Sequence, residues 1–179
     1  GLKDVKLIIS DAHKGLTEAI SENFNAHWQR CWVHFMRNIL SHVPKSNMEE
    51  VADLMRLIVK EDKPQEMRER YHKVMDALKG KYPKIYDKML EAEEDIIAHS
   101  FFLKEHRRKI YSNNPLERIN REIRRRTNVV GIFPNDNAVL RLVGEVLHQI
   151  DEDWIAQKNY MTPDSMQNSL TMDLPNDSI

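Results

Sequence analysis

The chain has 179 residues, a formal net charge of −1 and a single cysteine. That length allows one sizeable core, or one domain with an inserted subdomain, and the low glycine and proline content favours helices over a turn-rich all-β fold. One cysteine excludes an intrachain disulfide framework, and no apolar run approaches the ~20 residues that span a bilayer. We therefore expect a globular cytoplasmic protein with no membrane partner.

The first predicted element is a buried strand that begins with the apolar run at residues 5–9 and ends at Asp11. An acidic residue at the carboxyl end of a strand is a candidate catalytic acid, although an Asp at such a place more often caps the next helix. That helix is predicted over residues 13–24, with its buried side formed by Leu16, Ala19, Ile20 and Phe24. The only other strand-like piece lies near residues 26–30, so we expect sheet partners upstream of Gly1 and a longer protein.

A second helix is predicted over residues 31–42, and it contains Cys31 and His34. Thiolate and imidazole with this spacing can form half of a zinc site. Because the chain has no second cysteine, zinc would need distant histidine or carboxylate ligands. A structural packing role is the favoured interpretation of the pair.

The middle of the chain is predicted to be an antiparallel helical insert. Apolar residues recur there with the 3.6-residue period of amphipathic helices, and breaks fall around Lys63-Pro64 and residues 80–83. The three apolar stripes consist of Val51, Leu54, Met55 and Ile58; Met67, Tyr71, Val74, Met75 and Leu78; and Ile85, Met89, Ala92 and Ile96.

The most informative stretch is residues 113–127, where one carboxylate begins a strongly basic helix. Asn114 is a suitable N-cap, Pro115 suits the first helical position, and Glu117 would then complete a capping box. Helical spacing predicts one face formed by Glu117, Asn120, Arg121 and Arg124 and an apolar face formed by Leu116, Ile119 and Ile123. If Glu117 serves only as a capping residue, the arginines form an ordinary solvated face.

The charge distribution favours a nucleic-acid surface over a solvated face. Residues 104–126 hold nine Lys and Arg against three Asp and Glu, whereas residues 127–179 hold two against eight. The chain is therefore nearly neutral overall but contains a local basic stripe, as expected of a surface that contacts phosphates. The candidate DNA-binding residues are Arg118, Arg121, Arg124, Arg125 and Arg126.

The last part of the chain is predicted to form one long helix and a tail. Residues 129–134 make an apolar turn, and Asn135 can cap a helix with an apolar stripe from Ala138 to Ile150. From about Thr162 onward the composition predicts a frayed tail.

Four motifs in order closely resemble the Mutator-type bacterial insertion-sequence transposases. They are Ser10-Asp11-Ala12-His13-Lys14-Gly15-Leu16; the segment Trp28 to Asn38, which contains Cys31 and His34; the segment Asn114 to Thr127, which begins Asn-Pro-Leu-Glu-Arg; and Val130-Gly131-Ile132-Phe133-Pro134-Asn135. The resemblance runs from Gly1 to about Ser165.

The resemblance implies a DDE transposase that cleaves and joins DNA strands with Mg²⁺ or Mn²⁺. Asp11 would be the second acid, Glu117 the third, and both would hold metal; the first acid would lie upstream of Gly1, so that this chain alone is expected to be inactive. Cys31 and His34 match a Cys-x2-His signature of structural or DNA-contacting role. Double-stranded DNA, both element ends and target, is the expected partner, in the bacterial nucleoid, and the full-length protein is expected to form a homo-oligomer.

The implied fold class is mainly α with a small β part, a partial RNase H-like core interrupted by an α-helical insertion. The expected divisions are residues 1–43 for the second part of the core, 44–110 for the insertion, 111–160 for the C-terminal core helices and 161–179 for the tail. Two other functions remain open at this point. One is a catalytically silent DNA-binding fragment of a decayed element, and the other is a purely helical interaction module, which leaves the basic helix unexplained.

Overall fold

The computed structural model describes residues 3–156 and 161–170. In these residues the fold is mainly α with one small parallel sheet, as the sequence predicts. The elements in chain order are β1 (Leu7–Ser10), α1 (Lys14–Asn23), β2 (His27–Arg30), α2 (Trp32–Leu40), α3 (Met48–Ile58), α4 (Pro64–Lys79), α5 (Pro83–Ile97), α6 (Lys104–Ile110), α7 (Asn114–Val130), α8 (Asp136–Ala156) and α9 (Pro163–Leu170), with short 3₁₀ turns at Lys45–Asn47 and Ala98–Phe101.

The chain divides into two compact units. The first contains the described residues up to Ser112 together with those from Gln167 onward, and the second contains Asn113–Met166. The four divisions predicted from the sequence cut the chain at other places and stay predictions.

The two strands of the first unit are parallel and in register. Leu7 lies opposite His27 and Ser10 opposite Arg30, and the Cys31 amide donates to the Ser10 carbonyl oxygen over 2.8 Å. The Trp28 indole N–H donates to the Ser10 hydroxyl, also over 2.8 Å. Because parallel strands share their direction, the residues that follow β1 and β2 emerge at the same edge of the sheet.

Helix α1 is less buried than its sequence pattern predicts. Ile20 is its only described residue that is buried, whereas Leu16 is 44% exposed and Phe24 42% exposed. Ala19 is exposed as well. The predicted apolar face of α1 is therefore present in the sequence, but most of it is not buried by the described residues.

Helices α3, α4 and α5 form the main hydrophobic core with α2. The three predicted stripes all face this core, and among their members only Leu54 is half-buried rather than buried. Tyr71 is fully buried, and its hydroxyl donates to the Met89 carbonyl oxygen over 2.7 Å. Burial raises the pKa of Tyr71, so the hydroxyl keeps the proton that it donates.

A buried polar network joins β2 to the end of α5. The Gln29 side chain is fully buried; its amide nitrogen donates to the carbonyl oxygens of Arg30 and Ile96, and its oxygen accepts from the His99 backbone amide over 2.7 Å. The imidazole Nδ1 of His99 lies 3.1 Å from the same Gln29 oxygen. Beside this network, Arg30 pairs with Asp95 over 2.8 Å. Every polar atom of the Gln29 side chain thus has a partner, as burial requires.

In the second unit, α7 packs against α8 and begins one residue earlier than predicted. The N-cap is Asn113, which makes no side-chain capping hydrogen bond, so Glu117 falls one position beyond N3. The predicted capping box between Asn114 and Glu117 is therefore wrong. Proline at position 115 is still tolerated because the first-turn amides have no intrahelical acceptor.

The turn after α7 is also shorter than predicted. The helix continues through Val130 and ends at Gly131, whose φ of 74° is left-handed and favours glycine. The predicted cap of α8 is confirmed, because the Asn135 side-chain oxygen accepts from the Ala138 amide over 2.9 Å. Where a frayed tail was expected from residue 162, the chain instead forms α9; residues 171–179 lie outside the described part.

Much of the apolar stripe of the second unit is exposed. On α8 only Val146 is buried, while Leu140 and Ile155 are 68% and 76% exposed. On α7 Ile119 and Ile123 are half-buried, but Leu116 is 56% exposed. None of the described helices combines the length and apolar character needed to cross a membrane.

The Gln29 network generates a stability prediction. Gln29→Ala leaves the buried His99 amide without its acceptor, so we expect the free energy of unfolding to fall by about 2–3 kcal/mol in urea titrations. Gln65→Ala is the matched control, because Gln65 is exposed and its side chain donates to Glu69, one turn further along the same exposed helix face. The control should change stability by less than about 0.5 kcal/mol. Equal losses in the two variants would contradict the role of the network.

Burial of His99 predicts a pH dependence. Burial lowers the pKa of His99 from 6.5 to about 4. Between these values the unfolded chain binds a proton that the folded chain does not, so stability falls as the pH falls from 6.5 to 4, by about 3 kcal/mol in total. The unfolding free energy of the wild type minus that of His99→Gln should shrink through this window and stay constant below it. A difference independent of pH would contradict the prediction.

Candidate functional site

Asp11 lies where the chain leaves β1, at the carboxyl edge of the sheet. The N-cap of α1 is His13, which makes no side-chain capping bond, so the alternative that Asp11 caps this helix is wrong. Instead, the Asp11 backbone carbonyl accepts from the Ser10 hydroxyl and from the His13 amide. These bonds fix the turn, and the carboxylate is left 47% exposed at the sheet edge.

Cys31 and His34 reach the same edge from β2 and α2. Cys31 follows the last residue of β2, is fully buried and is the N-cap residue of α2. His34 is three residues further on, which places it on the same helix face, and its Nδ1 lies 3.3 Å from the Cys31 sulfur. The Asp11 Oδ1 lies 2.6 Å from that same nitrogen. Among the described residues, Asp11, Cys31 and His34 are a group whose ligand atoms all lie within 4.8 Å of one another.

The contacts of His34 determine where its proton lies. Arg37 Nη1 lies 3.3 Å from His34 Nε2, and because a guanidinium only donates, Nε2 accepts and a neutral ring carries its proton on Nδ1. This N–H serves the sulfur of Cys31. Asp11 Oδ1 is shielded from solvent and lies 2.6 Å from the same ring nitrogen, although this contact is not a hydrogen bond.

Glu117 and the arginine-rich segment lie in the second unit. Glu117 is half-buried in the first turn of α7, and its amide donates to the Asn113 carbonyl oxygen over 3.1 Å. Asp11 belongs to the first unit, and the approach of Asp11 to Glu117 stays a prediction.

The arginines of α7 differ in their partners. Arg125 and Arg126 both pair with Glu122, over 2.6 and 3.1 Å, and they lower the pKa of Glu122 to about 2. Arg121 and Arg124 are exposed on the side of the helix that carries Glu117. The five arginines thus carry less open charge than their number suggests.

Two features near the basic stripe are absent from the sequence analysis. The first is Trp154, which is half-exposed and lines a groove of the second unit together with Arg118 and Arg121. Helical spacing alone could not pair it with α7, since it lies on another helix. The second is a division of the stripe, because Lys104 to Lys109 belong to α6 in the first unit.

The α6 part of the stripe is involved in local contacts. Lys104 pairs with Asp62 over 2.5 Å, and Arg107 donates from Nε to the Phe102 carbonyl oxygen over 2.7 Å. The Nη1 atom of Arg107 is buried without a hydrogen-bond partner in the described residues. Burial lowers the pKa of Arg107.

Comparison with known proteins places these residues in a family. The sequence profile described as "Transposase, Mutator family" matches residues 1–157. The chain is 41% identical over 162 residues to the transposase for insertion sequence element IS1081 of Mycobacterium tuberculosis, covering 90% of this chain and 39% of that protein. It is 37% identical over 158 residues to the transposase for IS256 in transposon Tn4001 of Staphylococcus aureus, covering 87% and 40%.

A third relative has a similar relation to the chain. The transposase for insertion sequence element ISRM5 of Rhizobium meliloti is 35% identical over 168 residues, which cover 93% of this chain and 42% of that protein. The chain therefore spans about two fifths of the length of these relatives. Because the family profile matches most of its length, this chain belongs to the Mutator family of transposases.

Proposed function

We propose that this chain contributes to DNA strand cleavage and transfer at the ends of an insertion sequence, as part of a DDE-type catalytic domain with an RNase H-like core. The observation that carries the proposal is the family match across residues 1–157, which includes both candidate acids. In this proposal Asp11 and Glu117 are two of the metal-binding acids. Helices α3 to α5 belong to the helical insertion between them.

Asp11 is suited to this role by its place and exposure. A carboxylate at the carboxyl edge of a parallel sheet faces the crevice where ligands of open α/β sheets bind. The half-exposed side chain leaves room for a phosphate or an ion, while the turn that precedes α1 fixes its backbone. Support for the proposal comes from this position and from the family match together.

The donor set fits Mg²⁺ or Mn²⁺. Asp11 and Glu117 offer carboxylate oxygens, which are the ligands that these hard cations prefer. When bound, such ions lower the cost of charge that develops on phosphate oxygens during in-line displacement. The chain's own contribution is to hold the acids on a strand edge and a helix and to position DNA beside them.

The open arginines of α7 would position that DNA. Arg121 and Arg124 lie one turn or more beyond Glu117 on the same helix side, so a phosphate that they contact lies near the Glu117 carboxylate. Arg118 lines the groove with Trp154, whose ring offers a face on which a base can stack. Arg125 and Arg126 would have to break their ion pairs with Glu122 before they could bind phosphate, which reduces the free energy that their binding contributes.

The shared metal site can be tested on this chain by replacing Mg²⁺ with Fe²⁺ in the presence of peroxide. Hydroxyl radicals formed at the bound iron should cut the backbone near residue 11 and near residue 117, because both acids hold the same ions. Excess Mg²⁺ should suppress, at both positions, the cuts that come from iron bound by the two acids. Mass spectrometry of the fragments identifies the cut positions.

Variants of the two acids show whether the cuts share one site. Glu117→Gln should remove the Mg²⁺-sensitive cuts near both positions, and so should Asp11→Asn, because either variant loses a charge that holds the ions. Glu122→Gln is the matched control on α7 and should leave both cuts in place. Mg²⁺-sensitive cuts at residue 11 that persist at full strength in Glu117→Gln would refute the shared site.

The DNA surface can be tested by removing two open arginines. Arg121→Ala with Arg124→Ala should weaken duplex binding by at least about tenfold at low salt and lower the slope of log K against log[salt] by about 2, since each lost phosphate contact releases about one counterion less. Electrophoretic mobility shifts or fluorescence anisotropy across a salt series measure both quantities. The loss should be similar for unrelated duplex sequences.

A charge-matched variant separates contact from overall charge. Lys73→Ala with Lys84→Ala removes two positive charges from exposed positions of the helical bundle and leaves α7 intact. We expect its affinity and salt slope to stay close to those of the wild type. Equal effects of the two double variants would discard α7 as the DNA surface.

A further inference from the structure

The group formed by Asp11, Cys31 and His34 contains a ligand set that the proposed magnesium chemistry does not use. Mg²⁺ is held by oxygen, whereas thiolate and imidazole prefer zinc and related transition metals. The sequence alone shows only two zinc ligands, Cys31 and His34, and a zinc site needs a further ligand from a distant part of the chain. The parallel register of β1 and β2 supplies it, because Ser10 pairs with Arg30 and the next residues, Asp11 and Cys31, emerge together.

The distances suit a common ion. The three ligand atoms lie within 4.8 Å of one another, and ligands around a tetrahedral zinc at ~2.0–2.3 Å are ~3–4 Å apart. The observed separations of 2.6 Å for Asp11 Oδ1 to His34 Nδ1 and 3.3 Å for His34 Nδ1 to Cys31 Sγ need only small side-chain shifts.

The buried oxygen of Asp11 gives a second observation. Oδ1 is shielded from solvent yet has no hydrogen-bond partner among the described residues. A buried carboxylate oxygen beside a neutral imidazole with no hydrogen bond between them is poorly compensated, whereas an ion between Oδ1, the ring nitrogen and the sulfur would satisfy it. The rest of the Asp11 side chain is exposed, so its second oxygen stays available on the solvent side.

We propose that Asp11 Oδ1, Cys31 Sγ and His34 Nδ1 bind one divalent transition metal ion of the zinc class, with water in the fourth position. Three protein ligands and one open position are the arrangement of zinc sites that exchange a ligand. Arg37 favours the metal-free form of this group, because its contact with Nε2 keeps the ring proton on Nδ1, the atom that must bind the ion. For the ion to bind, the ring proton moves from Nδ1 to Nε2, and the exposed Arg37 side chain leaves Nε2.

The full chain, stripped of metal with a chelator under reducing conditions, can be titrated with Co²⁺ and then with Zn²⁺. Wild-type protein should bind one Co²⁺ with a near-ultraviolet thiolate-to-cobalt band, and Zn²⁺ should displace it. An excess of Mg²⁺ should leave the band unchanged, since thiolate and imidazole are poor magnesium ligands. Absence of the thiolate band in the folded wild type would overturn the proposal.

Single substitutions can show which side chains bind the ion. Cys31→Ser should abolish the thiolate band, and His34→Gln and Asp11→Asn should each weaken Zn²⁺ binding by at least about tenfold in competition with a chromophoric chelator. His42→Ala, an exposed histidine just beyond α2, is the control and should bind like the wild type. Circular dichroism verifies that each variant is folded. Zinc affinity unchanged in both His34→Gln and Asp11→Asn would overturn the proposal.

Two further variants separate this site from the proposed acid pair. Arg37→Met should bind Zn²⁺ at least as tightly as the wild type, because the ring no longer has to leave the guanidinium. Glu117→Gln should leave the cobalt band and zinc affinity unchanged, even if it removes the Mg²⁺-sensitive iron cuts. Zinc affinity lost in Glu117→Gln would place the ion at the acid pair and overturn the proposal, while the proposed function would stand.

Discussion

The buried side chain of Gln29 is the constraint on which the first unit depends. Its hydrogen bonds join β2 to the end of α5 and to the His99 amide. This connection matters because a sheet of two strands is too small to bury a core without the helices. A leucine of similar size would fill the space but leave the amide of His99 without a partner. The network therefore specifies one register between the sheet and the helical bundle, and β2 in turn positions the residue that follows it, Cys31.

The register of the two strands also brings potential metal ligands together at the edge of the sheet. Because β1 and β2 are parallel, Asp11 and Cys31 leave their strands side by side, and the first turn of α2 adds His34. Two kinds of metal chemistry meet at one carboxylate in our proposals, with the soft ligands beneath Asp11 and the solvent-facing side available to a hard cation. The two are compatible because a carboxylate has two oxygens that can bind different ions.

The sequence predicts the bundle well because one physical rule determines it. Residues such as Met67, Tyr71 and Met89 recur with the helical period, and that period alone requires a buried face. The same rule fails for Leu16 and Phe24, because a pattern shows which face is apolar but not whether anything covers it. Helix starts also depend on details that a pattern lacks, and the N-cap of α7 is Asn113, one residue before the predicted Asn114.

The candidate site was predictable only in part. Asp11 follows from its position after a strand, but its proximity to His34 requires the pairing register of β1 and β2, which alternation of apolar residues in two four-residue strands cannot fix. Helical spacing likewise places several arginines within reach of Glu122, but it does not show which of them pair with its carboxylate. Those choices are made by packing and electrostatics in the folded chain, and the sequence offers several for each residue.

The separation in sequence of the contacting residues has a consequence for how the protein is made. Helices α4 and α5 are neighbours in the chain and contact each other extensively, so their hairpin can form as soon as both have left the ribosome. By contrast, Gln29 must wait for His99, 70 residues later, before its oxygen has a partner. During synthesis the strand edge with Asp11 and Cys31 should therefore become rigid only after His99 has left the ribosome, long after the residues that form this edge have been translated.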